Sequence, residues 1–116
     1  MWVGIALVAA LAGCYKHHHD DDDVEITSQR LTTLRNACIV EGTVENQDDD
    51  TVRVFITFKA FDGDDDWIGV AEAEVRDLPR FSSRTFESTR FREFDGDLIP
   101  CNRIARVRRD IAVFRD

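Results

Sequence analysis

From Val24 onward, apolar and polar residues alternate with a period of two, and short acidic turns interrupt the alternation. This pattern predicts β-strands that each bury one face. No segment after residue 30 has a convincing helical period, so a βαβ fold is not expected. Short strands separated by turns are typical of an all-β, immunoglobulin-like β-sandwich of about six to seven strands. The strands are predicted near residues 24–34, 37–46, 52–61, 67–75, 83–94 and 103–114.

The segment 52–61 is the strand expected at the centre of a sheet. Val52, Val54 and Ile56 lie on one of its faces, whereas Phe55 and Phe61 lie on the other. Strands with two apolar faces are usually buried on both sides. We therefore predict that this strand is the most buried of the sandwich.

The N-terminal segment 2–13 is apolar and uncharged. It is shorter than the roughly 20 residues that a transmembrane helix needs, and it matches the apolar core of a signal peptide. The segment ends in Leu-Ala-Gly followed by Cys14. A buried apolar helix with a chance cysteine is the alternative, and the signal lacks the usual Lys or Arg at its start.

The motif at Cys14 resembles the lipobox of bacterial and some archaeal lipoproteins. In that family the cysteine sulfur takes a diacylglyceryl group, and a peptidase then cuts before the cysteine. The resemblance implies that residues 1–13 are a signal peptide and that Cys14 bears the lipid. It also implies a lipid anchor at the extracytoplasmic face of the cell membrane.

Residues 14–23 form a predicted acidic and disordered tether before a domain that spans 24–116. The tether contains His17–His19 followed by four aspartates. Charged runs of this kind are usually solvated spacers. Consecutive histidines and aspartates can also bind a divalent metal loosely, but a flexible chain supplies no groups that orient the ligands. The spacer is the favoured interpretation.

The middle of the chain carries a second set of motifs. They are Val-Glu-Gly-Thr-Val-Glu-Asn at 40–46, the alternating segment 52–58, Phe61-Asp62, Gly63, Ile68-Gly69, Leu78-Pro79 and Phe86. On these motifs, residues 38–91 resemble the FxLyD-type domain, a small β-sandwich module of exported prokaryotic proteins. Arg80 departs from the glycine that often follows the proline in that family. The resemblance implies a fold and an exported setting, and it implies no catalytic residues.

The three cysteines suggest a pairing once Cys14 is assigned to the lipid. Cys38 then stands at the start of an early strand, and Cys101 precedes the last strand. Strand ends of this kind can be neighbours in a sandwich, so a disulfide is the favoured prediction. Two buried thiols, or a metal pair without further ligands, are the alternatives.

Several classes of function find no support in the sequence. The formal net charge of -8 disfavours nucleic acid, because phosphates repel an acidic protein. All three histidines lie in the tether, and no glycine-rich phosphate loop is present, so neither an enzyme nor a cofactor is expected. The turn 62–66 is similar to calcium-binding loops but lacks their distal Glu, and Asp is favoured in turns for geometric reasons alone.

An arginine cluster near the C-terminus is the remaining candidate site. Arg103, Arg106, Arg108 and Arg109 lie within one short segment of an acidic protein. They either pair with acids on a neighbouring strand or form an anion-binding or partner-docking face. The sequence thus predicts a lipid-anchored, noncatalytic binding or assembly module with a protein partner in the cell envelope. The alternative is a metal-dependent enzyme, or a calcium- or zinc-binding protein, that uses the acidic turns and His17–His19.

Overall fold

The structure, a computed structural model, describes residues 23–115 as two three-stranded antiparallel sheets packed face to face. The predicted all-β sandwich is confirmed. The predicted signal peptide, Cys14 and nearly all of the tether lie outside the described residues. The strands are β1 (Val24–Leu34), β2 (Ala37–Asn46), β3 (Val52–Phe61), β4 (Trp67–Leu78), β5 (Ser83–Glu87) and β6 (Arg106–Arg115), with one 3₁₀ turn at Cys101–Arg103.

Sheet I has the strand order β1-β2-β5, and sheet II has the order β4-β3-β6. β1 and β2 form one antiparallel pair, and β3 and β4 form another. The chain changes sheet between β2 and β3, between β4 and β5, and between β5 and β6. This distribution of strands between the two sheets is that of an immunoglobulin-like sandwich.

β3 lies at the centre of sheet II, as its two apolar faces predicted. Its inward row packs on β2 and β5, and the ring of Phe58 lies 6.0 Å from that of Phe86. Fully burying one large apolar side chain stabilises the fold by about 1.5–3 kcal/mol. The inward row is completely buried and consists of Val52, Val54, Ile56, Phe58 and Ala60.

The predicted fifth and sixth strands begin or end at different residues in the structure. The fifth strand was expected to reach residue 94, but β5 ends at Glu87. The last strand starts at Arg106 rather than Arg103. Between them, segment 88–105 forms no strand and closes one end of the sandwich, where Phe91 and Ile99 are completely buried. β4 continues beyond Val75 to Leu78.

The two ends of the sandwich are formed by different segments of the chain. The entry end contains Asp23, the turn 47–51 and Arg115, and the amide of Gln47 donates to the carbonyl of Asp23 at 2.7 Å. The far end contains the turn 62–66 and segment 88–105. Within residues 23–115, no helix has the length and apolar character that spanning a membrane requires.

Candidate binding surface along β6

β6 is an edge strand of sheet II. It pairs with β3 over its whole length, from Arg106 opposite Phe61 to Arg115 opposite Val52, without a shift in register. Among residues 23–115, no strand pairs with its other edge. In an antiparallel pair, alternate residues direct their backbone N–H and C=O groups away from the partner. β6 therefore presents a long row of backbone donors and acceptors on its outer side.

β1 is the edge strand of sheet I on the same side of the sandwich, but its edge is less regular. Its pairing with β2 shifts register between Ile26 and Ser28. A bulge of this kind bends and twists an edge, which makes it a poorer template for another strand. Of the two edges on this side, β6 is the continuous one.

The structure brings two of the four predicted arginines together. Arg106 and Arg108 project from the outward face of sheet II, and their guanidinium carbons lie 4.2 and 5.7 Å from the ring centre of Phe61. Arg106 also pairs with Asp65 at 2.6 Å. Arg108 lies opposite Lys59 in the β3–β6 ladder, and no carboxylate of the described residues pairs with it. Arg108 is therefore the exposed cation of this face that remains available.

The other two predicted arginines point elsewhere. Arg103 lies in the 3₁₀ turn and pairs with Glu93 at 2.5 Å. Arg109 occupies an inward register position opposite Phe58 and donates to Oε1 of Gln29 on β1 at 2.8 Å. The four arginines do not share one face, and the acids that pair with Arg103 and Arg106 come from loops rather than from a neighbouring strand. A partner-docking role for them stays a prediction.

Several side chains of β6 that face the core are only partly buried. Val107 and Ile111 lie in the inward row on either side of Arg109, yet both are only half-buried, and Arg109 is exposed. The inward row of β3, by contrast, is completely buried. A charged residue in the inward row of β6 interrupts the apolar alternation. That interruption is visible in the sequence and indicates an incompletely covered strand.

Arg115 fixes the entry end of β6. Its guanidinium hydrogen-bonds to Asp23, pairs with Asp48 at 2.6 Å and lies 3.8 Å from Asp50. Burial lowers the pKa of Arg115, but the hydrogen bond and the charge of Asp48, together with the charge of Asp23, outweigh burial and raise this pKa. The side chain therefore remains charged and ties β6 to Asp23, just before β1, and to the β2–β3 turn.

The disulfide predicted between Cys38 and Cys101 is present, with its Cα atoms 4.8 Å apart. Cys38 is completely buried at the start of β2. Its carbonyl accepts from the amide of Phe91 at 2.8 Å, and its amide donates to the carbonyl of Ile99 at 3.2 Å. The disulfide and these hydrogen bonds attach segment 88–105 to sheet I.

Two groups of carboxylates lie at the far end, and within each group the oxygens lie within 4.8 Å of one another. In the turn 62–66, Oδ1 of Asp62 accepts from the amides of Asp64 at 2.9 Å and Asp66 at 3.0 Å. Asp62 thus stabilises the turn, as the interpretation of this segment as an acidic hairpin turn predicted. The groups are Asp62, Asp64 and Asp66, and Glu93, Asp95 and Asp97.

A shallow depression on the outward face of sheet I contains Glu41. Its carboxylate accepts from the hydroxyl of Thr32 at 2.9 Å and from Arg30 at 3.1 Å. These hydrogen bonds hold the pKa of Glu41 below its ordinary value of 4.5. A carboxyl group with a lowered pKa is ionised at neutral pH and is a poor general acid. Its observed contacts are structural.

No known protein family, curated protein or solved structure matches this chain. The resemblance to the FxLyD-type domain therefore stays a prediction.

Proposed function

We propose that this chain is a membrane-anchored extracytoplasmic lipoprotein whose β-sandwich is a noncatalytic binding or assembly module. The main support is the use of the three cysteines. Cys38 and Cys101 form a disulfide, and disulfides persist mainly in oxidising compartments outside the cytoplasm. Cys14 is the remaining cysteine, and it stands at the end of the lipobox-like motif.

The point at which the chain enters the sandwich agrees with this proposal. Asp23 lies at the entry end, so an anchor at Cys14 would approach the domain from that end. Apart from Tyr15, the intervening residues are polar, as a spacer requires. Two acyl chains on one cysteine hold a protein firmly at a membrane, whereas a single chain binds only marginally.

A binding role agrees better than catalysis with the ionisable groups of the domain. Catalytic sites are places where pKa values are shifted to suit proton transfer. The pKa shifts of Glu41 and Arg115 arise from hydrogen bonds and ion pairs that hold the strands and turns together. The FxLyD-type assignment, which is part of this proposal, likewise implies a noncatalytic sandwich.

Membrane fractionation with palmitate labelling tests the proposal. In the native host, the wild-type chain should take up labelled palmitate and sediment with membranes, and Cys14→Ser should lose the label and leave the membrane fraction. The double variant Cys38→Ser, Cys101→Ser is the matched control, and it should keep the label. A Cys14→Ser chain that still sediments with membranes would refute the proposed anchor.

A further inference from the structure

We propose that the outer edge of β6 accepts an extended acidic segment of a partner protein as an additional strand of sheet II. The biological meaning of this inference rests on the proposed role as a binding module. Strand addition of this kind uses main-chain hydrogen bonds for affinity and alternate side chains for specificity.

The backbone of β6 offers a suitable template. Its ladder with β3 is continuous over 10 residues, and its outer edge pairs with no strand of residues 23–115. The side chains of Arg106, Arg108 and Arg109 are all exposed. A peptide can therefore approach this edge without displacing a described strand.

The positive charge of β6 favours an acidic partner. The strand contains four arginines and one acid, Asp110, whose carboxylate lies 3.6 Å from Nζ of Lys59. Pairing β6 with β6 of a second copy would concentrate the arginines of both copies in two neighbouring strands with only one acid each, and like charges in neighbouring strands are destabilising. An acidic strand instead places carboxylates beside Arg106 and Arg108.

The half-buried apolar side chains of β6 favour a partner strand in which acidic and apolar residues alternate. Val107 and Ile111 lie in the inward row and are incompletely covered. Because side chains alternate between the two faces of a strand, a partner with alternating acidic and apolar residues satisfies both rows. Its apolar side chains would cover Val107 and Ile111, and its acidic side chains would face Arg106 and Arg108.

A peptide titration tests the inference with the full chain in a nonionic detergent. The probe is a fluorescent peptide of alternating Glu and Val, about as long as β6. A peptide in which Pro replaces each Val has the same charge but cannot continue a β-ladder. Fluorescence anisotropy should show that the Glu-Val peptide binds at least about tenfold more tightly than the Glu-Pro peptide, a difference of about 1.4 kcal/mol.

Two charge reversals locate the site. Arg108→Glu should weaken binding of the Glu-Val peptide by about tenfold. Arg80→Glu, at an exposed arginine beyond the end of β4, is the charge-matched control and should leave binding within about twofold of the wild type. Amide hydrogen exchange on the wild-type complex should show new protection in β6.

Three outcomes would overturn the inference. Equal binding of the two peptides would mean that charge alone attracts them. Equal weakening by the two variants would mean that the site is not on β6. No binding at millimolar peptide would mean that the arginines guard the edge against pairing. None of these outcomes alters the palmitate label or the membrane fractionation, so the proposed anchor succeeds or fails separately.

Discussion

β4 and β6 are the two neighbours of the central strand β3, but their outer edges differ in what lies beside them. Beside β4, Val70 and Arg92 exchange two backbone hydrogen bonds of 3.1 Å, and the amide of Thr89 donates to the carbonyl of Glu72 at 2.7 Å. Beside β6, no backbone segment of the described residues takes a comparable position. Around Val70 and Glu72, the edge of β4 is therefore covered by the main chain of segment 88–105, whereas the edge of β6 carries arginine side chains.

The cover over β4 depends on the long connection between β5 and β6. Segment 88–105 is attached to β2 by the disulfide at Cys101, and it lies so close to Gly69 of β4 that a Cβ there would overlap the carbonyl oxygen of Arg92. The same connection that delivers β6 to sheet II therefore protects the opposite edge of that sheet. Variants that loosen segment 88–105 should expose β4 and leave the edge of β6 unchanged.

Removal of the disulfide should have the largest effect. Cys38 and Cys101 are separated by 63 residues, so the double variant to alanine should lower the free energy of unfolding by about 2–4 kcal/mol. Urea denaturation measures this change, and the matched control is Cys14→Ser, which should unfold like the wild type. A loss below about 0.5 kcal/mol would mean that segment 88–105 holds its position without the crosslink.

The substitution Gly69→Ala should displace segment 88–105 from the edge of β4. The added Cβ would overlap the carbonyl oxygen of Arg92 and lie 2.5 Å from Cδ1 of Ile99. Gly69→Ala should therefore lower the free energy of unfolding by about 1–3 kcal/mol and speed amide exchange at Val70.

Gly63→Ala is the matched control for that variant, because a Cβ at Gly63 meets no atom within 4 Å. Its free energy of unfolding should stay within about 0.5 kcal/mol of the wild type. Equal losses in the two variants would mean that the close approach at Gly69 does not determine the cover of β4.

A variant of Arg115 tests the entry end of β6. Because the guanidinium is half-exposed, Arg115→Gln should lower the free energy of unfolding by only about 0.5–1 kcal/mol. The loss should shrink in 1 M salt, where the Debye length falls to about 3 Å. A loss that is the same in low and high salt would show that packing, rather than charge, holds this end of β6.

Much of the fold follows from the alternation, and the exceptions have physical causes. β1, β2 and β3 begin and end where the pattern predicts. The expected strand 83–94 fails because Phe86 and Phe91 are five positions apart and both are buried. Residues an odd number of positions apart face opposite sides of a strand, and the outer face of β5 is exposed, so a continuation of β5 to residue 94 would bury only one of the two rings.

The candidate site was predictable only in part. The spacing of two between Arg106 and Arg108 places them on one face of a strand, and counting the cysteines predicted the disulfide. The partners of Arg103 and Arg106 are Glu93 and Asp65, which lie in loops. Their positions depend on how the far end folds, which periodicity does not reveal.

Amide hydrogen exchange along β4 and β6 in the full chain tests the difference between the two edges most directly. The amides of Val70 and Arg92 should exchange slowly, because each is hydrogen-bonded across the covered edge of β4. Along β6, slow and fast amides should alternate with a period of two, since only every second amide faces β3. Uniform protection along β6 would contradict the account, because it would mean that the outer edge is already paired.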